Sequence, residues 1–209
     1  MSFFEKLFKN NNSDETGEEI KKPSAVELLY EWTSTLATAL ICVIIVFIFF
    51  FRVVSVVGPS MYPTLTGSDP SKRDDKSGDR LLVYTFMYEP ERGDIVIVDR
   101  YTDDPLIKRV IAVAGDVIQI LPDTCEVVLN NVVLEEPYLN IPEGNKGITS
   151  PNEFGVEPRV VPPGHIVVFG DNRTVSLDSR RQEIDFVNVE DVIGKVAFRF
   201  APLNHFGKV

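Results

Sequence analysis

Histidine and cysteine are scarce: the 209 residues contain two of each. Cys42 lies in an apolar run and Cys125 far downstream, so the fold is not expected to rest on a disulfide. There is no His/Cys cluster with ligand spacing, so neither a metal nor another cofactor is expected. His165 sits in a "PPGH" turn and His205 near the end, and neither has an acidic orienter close by in sequence. That argues against a Ser/His/Asp triad. A surplus of basic residues is missing too. The formal net charge is −10 and no basic stripe occurs, so nucleic acid is not an expected partner.

What is present first is a long apolar run. Trp32 to Phe51, "WTSTLATALICVIIVFIFFF", holds 20 residues without a charge. As a helix this spans roughly 30 Å, the thickness of a bilayer core. From Leu40 to Phe51 the run has no polar face, which a surface helix would show. It is too long for a signal-peptide core and no small-residue cleavage site follows it. The expected organisation is a polar tail over residues 1–31 and a transmembrane helix over 32–52. Lys21 and Lys22 precede the span while Arg52 alone follows closely, which puts the N-terminus in the cytoplasm and the remainder outside the cell membrane.

After Arg52 the apolar period changes to two. "RVVSVV", "DRLLVYTF", "GDIVIVDR", "IKRVIAVAGDVIQIL", "EVVLNNVVL", "RVVPPGHIVVFG" and "VIGKVAFRF" are Val/Ile-rich runs separated by Gly, Pro, Asn and Asp. These patterns predict short strands joined by turns, with Asn130-Asn131 as a hairpin turn. The expected fold class is mainly β: coiled antiparallel sheets, or a partly open barrel, over residues 53–209 behind one N-terminal transmembrane helix. Thr66–Asp79 reads as a charged loop. Pro142–Pro158 reads as a Gly/Pro/Asn flap within an inserted region of about residues 123–163.

"VVGPSMYPTL" places Ser60 just beyond the apolar run. A serine hydroxyl needs a base to become a nucleophile. With histidine disfavoured, the remaining base is a neutral lysine, and burial in apolar surroundings can lower a lysine pKa by several units. Lys108 in "PLIKRVIAVAG" stands among Leu106, Ile107, Val110 and Ile111. In a strand Lys108 and Val110 share one face, Ile107 and Arg109 the other. From the residues alone a second reading stands beside this one: both cations are edge charges that guard the strand against aggregation.

"PSMYPTL", "RGDIVIV", "KRVIAVAGD" and "GDNRTVSLDSR" occur in that order behind the apolar span, and on these blocks the chain resembles the bacterial type I signal peptidases of the single-span form. The resemblance implies a membrane-bound serine endopeptidase that cleaves signal peptides from exported preproteins after small residues of Ala-X-Ala type. It implies Ser60 as nucleophile and Lys108 as general base, Ser176 hydrogen-bonded to the lysine amine, and Asp178 with Arg180 bracing the site. Signal-peptide-bearing preproteins, the lipid bilayer and the secretion translocon are the partners implied. Two stretches depart from the family pattern. Gly58 stands where many members carry a serine that helps bind the oxyanion, so the oxyanion is left to backbone N–H groups, the Ser60 amide first, with Gly58 allowing close backbone approach. "RQEIDFVNV" after Arg180 is more charged and longer than usual, so the wall of the site there is expected to differ.

Val54, Val56 and Gly58 share a face with Ser60 in an extended run, and a substrate strand could add beside it. Val54, Val56, Met61, Leu65 and Ile107 are the expected pocket lining, with core packing as the other reading. Phe86 and Met87 in "YTFMYEP" are either core or a loop at the bilayer interface. The alternatives to signal-peptide processing are a dedicated conjugation-type Ser–Lys peptidase, a self-cleaving repressor protease, and a membrane-tethered β module that binds exported chains without catalysis. The repressor type would need a DNA-binding module, and the sequence has none.

Overall fold

The computed structural model describes residues 24–71, 77–100 and 104–209. Residues 1–23 of the expected tail and 72–76 of the charged loop lie outside the described residues. The chain divides into two units, residues 1–47 and 48–209. Among the described residues there is one α-helix, α1, which runs from Ala25 to Phe50. It is long and apolar enough to cross a membrane and none of its span is buried. It starts seven residues before Trp32, where the uncharged stretch begins. The cause is a capping box at Ser24: Glu27 N–H donates to Ser24 Oγ at 3.2 Å and Ser24 N–H to Glu27 Oε2 at 2.7 Å. Lack of charge marks where lipid can be entered, whereas caps mark where a helix begins. The helix ends at Phe50 rather than at Arg52, because Phe51 and Arg52 already pair with Tyr84 and Val83 as a strand.

The second unit is mainly β and antiparallel. Its larger sheet contains β1 (Phe51–Ser55), β2 (Arg80–Tyr84), β3 (Ile95–Val98), β4 (Leu106–Val113), β9 (His165–Phe169), β10 (Val187–Asn188) and β11 (Val192–Ala201), in the order β1-β2-β11-β3-β4-β9-β10. β11 breaks register against β2 and β3, and β4 does so against β9. Such bulges bend a strand and sharpen its twist, which curls the sheet. Two apolar clusters flank it. One, of Val56, Met61, Leu65, Leu81, Val83, Ile95, Ile97, Ile107 and Val196, lies beneath the Ser60 segment. The other gathers Val96, Val98, Val110, Ile166, Val168 and Val187.

A smaller sheet pairs β5 (Val117–Ile120), β6 (Val127–Leu129), β7 (Val132–Val133) and β8 (Arg159–Val160) in the order β7-β6-β5-β8. It starts at Val117, a few residues before the expected insert. Asn130 and Asn131 have φ of +52° and +66° and join β6 to β7, the left-handed pair a two-residue hairpin turn requires. Only β10 was not anticipated. It is two residues long, inside the charged "RQEIDFVNV" stretch, and exists through pairing with His165 and Ile166.

The backbone around residue 58 is crowded. A Cβ on Gly67 would stand 1.9 Å from the Gly58 carbonyl oxygen. Replacing Gly67 with Ala should therefore destabilise the second unit by about 1–3 kcal/mol or more, through forced backbone displacement. A urea titration that gave an unchanged midpoint would contradict this packing.

Candidate active site

Ser60 follows a stretch tied down on both sides. Val56 N–H donates to the Asp79 carbonyl at 2.8 Å, and Gly58 N–H to the Ser68 carbonyl at 2.9 Å. Pro59 then opens a turn closed by Tyr62 N–H to the Pro59 carbonyl and Leu65 N–H to the Met61 carbonyl. Met61 and Leu65, four apart on that turn, are 1% and 0% exposed and sink into the apolar cluster below. Ser60 lies just before these anchors and stays half-exposed. The apolar spacing of the motif thus holds the serine up from a filled core.

Lys108 approaches from β4, the strand between β3 and β9. It is 1% exposed. Its Nζ donates to Ser60 Oγ at 3.1 Å and to its own neighbour's carbonyl, Ile107 O, at 2.9 Å. Burial pushes the ammonium down to about 8, against the pull of the Asp178 carboxylate, which acts to raise it. The adjacent cation has a different task. Arg109 makes a forked bond to Asp171, at 2.9 and 2.7 Å, and lies over the Tyr138 ring at 4.0 Å. Neither residue is therefore an edge charge, because β4 has a neighbour on each side.

The "GDNRTVSLDSR" segment closes over both. Asn172 N–H donates to the Ser60 carbonyl at 2.9 Å and Asn172 Nδ2 to the Pro59 carbonyl at 3.2 Å. Thr64 Oγ1 donates to Asp171, which is fully buried. Asp178 and Arg180, 0% and 1% exposed, form a forked pair with both bonds at 2.9 Å. Burial alone would raise the Asp178 carboxyl, but the Arg180 guanidinium and the Gly170 N–H at 3.0 Å hold it below the usual range. Arg173 is buried too, bonded to Glu136 and Thr149 and to the Gly170 carbonyl at 3.0 Å. Gly170 has no room for a side chain. A Cβ there would meet Ser176 Oγ at 2.2 Å and the Ser60 carbonyl at 2.5 Å.

Several contacts differ in the structure from those expected. The bond from Ser176 to Lys108 is not made. The Ser176 hydroxyl is buried without a partner in hydrogen-bond geometry, though it lies near enough to Asp178 to favour the ionised carboxylate. Nζ is bonded to Ser60 and Ile107 instead. The Gly58 N–H is spent on Ser68, so Gly58 offers no oxyanion donor; its φ of +79° explains why glycine stands there. Of the two backbone positions named for the oxyanion, the Ser60 amide remains. Val56, Met61 and Leu65 are at most 2% exposed, Ile107 is 9% exposed and Val54 is half-buried. Val56, Met61, Leu65 and Ile107 pack in the core, and Val54 packs against it from a partly exposed position. Thr64, Arg109, Asp171, Asn172, Arg173 and Glu136 support the site and were missed as supports. The signal for Asp171 and Arg109 was their opposite charge within two of the four motifs, but only the pairing of β4 with β9 brings them together.

Two stability outcomes follow. The folded Lys108 has a pKa of about 8 against an ordinary 10.5, so between those values the unfolded chain binds more protons and stability rises with pH; below about 8 the full penalty applies. Lys108→Met should therefore stabilise the fold at pH 7 by about 1–3 kcal/mol, with the gain fading towards pH ~10.5. Denaturant titrations at pH 7 and 10 check this, and equal differences at both would contradict it. Arg180→Ala leaves a buried carboxylate alone and should destabilise by about 3–5 kcal/mol, more than Asp178→Asn combined with Arg180→Met. Comparing the midpoints of the two variants reads this directly.

The family model described as "Signal peptidase, peptidase S26" matches residues 29–201. Signal peptidase IB of Staphylococcus aureus is 34% identical over 190 residues, covering 85% of this chain and 92% of its own. Signal peptidase I of Bacillus licheniformis is 33% identical over 199 residues, covering 91% and 98%. A crystal structure of a signal peptidase I from Enterococcus faecalis V583 covers 52% of this chain and 97% of its own, at 27% identity and a TM-score of 0.42. The ordered motifs around Ser60 and Lys108 agree with the family model and with the two curated relatives, each matched over most of its length: the chain belongs to the signal peptidase family, peptidase S26, and is a serine endopeptidase.

Proposed function

We propose that the chain removes signal peptides from exported preproteins, with Ser60 as nucleophile and neutral Lys108 as general base. The observation that carries this is the 3.1 Å separation of Ser60 Oγ from an amine that is 1% exposed. Lys108 Nζ, once neutral, takes the Ser60 proton as Oγ attacks the scissile carbonyl. The Ser60 amide faces the oxyanion. The lysine ammonium then protonates the leaving amine, and a water activated by the same amine releases the acyl group. A neutral amine keeps two N–H groups. One stays on Ile107 O, and the other turns to the open Ser176 hydroxyl, which aims the lone pair at Ser60. Asp178 and Arg180 hold that turn.

The packed core below Ser60 supports specificity for small residues of Ala-X-Ala type. A substrate strand laid beside the half-buried Val54 and the 9%-exposed Ile107, which sit on the already packed core of Val56, Met61 and Leu65, finds only shallow depressions for its own side chains. The N-terminus lies in the cytoplasm, α1 crosses the cell membrane, and the β unit acts outside on chains emerging from the translocon. Phe86 and Met87 are 44% and 86% exposed, unlike Tyr88, which bonds Asp94. They rest in the bilayer interface.

Cleavage of a preprotein in detergent should fall roughly 10⁴-fold or more in Ser60→Ala and Lys108→Ala. Lys108→Arg should be equally inactive, because guanidinium stays protonated. Equal processing by wild type and variants would remove the dyad. Since the neutral amine is the active form, kcat/KM should rise about tenfold per pH unit below about 8 and level off above it. Replacing Phe86 and Met87 with Ser should release residues 48–209 from liposomes without changing their unfolding midpoint; unaltered binding would count against the interfacial loop.

A further inference from the structure

The smaller sheet takes no part in the chemistry described so far, yet one of its connections reaches the site. Past β7, Leu134 N–H donates to the Val127 carbonyl at 2.8 Å, and its side chain packs against the apolar cluster of that sheet. Glu136-Pro137-Tyr138-Leu139 then forms a β-turn, closed by Leu139 N–H to the Glu136 carbonyl at 3.0 Å. Proline at the second position suits such a turn, because its φ is already fixed. Each polar residue of the turn holds an arginine. Arg109 Cζ lies 4.0 Å from the centre of the Tyr138 ring, over its face. Glu136 pairs with Arg173, and Tyr138 Oη donates to Glu136 Oε1 at 2.9 Å. The two arginines grip adjacent residues. Arg109 forks onto the Asp171 carboxylate and donates to the Gly93 carbonyl at 2.9 Å, while Arg173 Nε donates to the Gly170 carbonyl. The next residue, Asn172, donates its N–H to the Ser60 carbonyl, and Asp171 accepts from Thr64 on the far side of the serine.

Resting on the peptidase reading above, we propose that Tyr138 is a positioning residue for the reaction: its ring keeps Arg109 on Asp171, and the Asp171-Asn172 pair keeps Ser60 aimed at Lys108. The smaller sheet, which carries the turn, thereby has a task in catalysis. The fork and the Gly93 bond fix the guanidinium through its N–H groups, and the ring face holds it by cation–π attraction. Without the ring, Arg109 has more freedom, and so do the residues it fixes beside Ser60. A small loss of aim is costly, because proton transfer and attack need the reacting atoms in close register. The second effect is electrostatic. Burial depresses the Lys108 ammonium, while Asp178 raises it, Arg100 lowers it and Asp171 raises it. Arg109 matches the Asp171 charge fully only while the fork is held. A looser fork leaves Lys108 with more of that field, which favours the ammonium, so the inflection of kcat/KM moves above about 8. Burial, and then the Glu136 carboxylate, push the Tyr138 phenol up, so its own titration stays out of that range.

The test follows preprotein cleavage by the full chain in detergent from about pH 6 to about pH 10, with unfolding midpoints taken on the same samples. Tyr138→Leu removes the ring. Its kcat should fall roughly tenfold with KM within about twofold of wild type, because Val54 and Ile107, where the substrate strand lies, are untouched. The inflection of its kcat/KM profile should rise by about half a pH unit. Tyr138→Phe keeps the ring under Arg109 and loses only the hydroxyl bonded to Glu136. It should return the wild-type inflection and at least about half of the wild-type kcat. A folded Tyr138→Leu whose kcat or inflection stays at the wild-type value, a loss confined to KM, or a Tyr138→Phe as impaired as Tyr138→Leu overturns the positioning role and leaves the peptidase reading intact. A Tyr138→Leu chain that does not fold overturns it as well, because the turn is then a folding element. A folded wild type that cleaves no preprotein overturns both.

Discussion

The site depends on keeping one amine dry beside one hydroxyl. Lys108 is pulled two ways. Burial disfavours its charge, and the Asp178 carboxylate favours it. Burial prevails because that carboxylate is already matched by Arg180 in a forked pair and by the Gly170 amide. A carboxylate left to itself at this depth would draw a proton onto the lysine or take one up. The arginine therefore matters to the lysine without touching it, by absorbing the field of its neighbour.

The second consequence of burying a charged strand residue is a need for polar scaffolding. The segment from Gly170 to Arg180 supplies it. Asp171 reaches Arg109 on β4 and Thr64 beyond the serine, Asn172 reaches the Pro59 and Ser60 carbonyls, and Arg173 reaches Glu136 next to the smaller sheet. Beneath them lies an apolar floor whose Met61 and Leu65 set the height of Ser60. Polar links position Ser60 and Lys108 laterally and close packing positions Ser60 vertically. Close-packed interiors resist compression, so the floor holds Ser60 at a fixed height.

Much of this was legible in the chain. The strands announced themselves by period two, and Asn130-Asn131 marked its hairpin, because these signals are local. The start of α1 was legible too, in Ser24 and Glu27, yet a reading that followed charge alone missed it. β10 was not legible, since two residues in a charged stretch become a strand only when a partner is offered. Val56, Met61 and Leu65 illustrate a further limit. Alternation places side chains on a common face but does not say whether that face meets substrate or core. Gly58 shows the same for the backbone, whose N–H was already claimed by Ser68.

By itself the sequence determined the long apolar helix, the β character, and the residue types able to form a nucleophile and a base, because periodicity, apolar length and side-chain chemistry are properties of short stretches. Only the tertiary structure decided that Lys108 faces Ser60 across 48 positions of chain and that Arg109 instead meets Asp171. Those outcomes depend on which strands pair and on what fills the space between them, and no single stretch of chain carries that information.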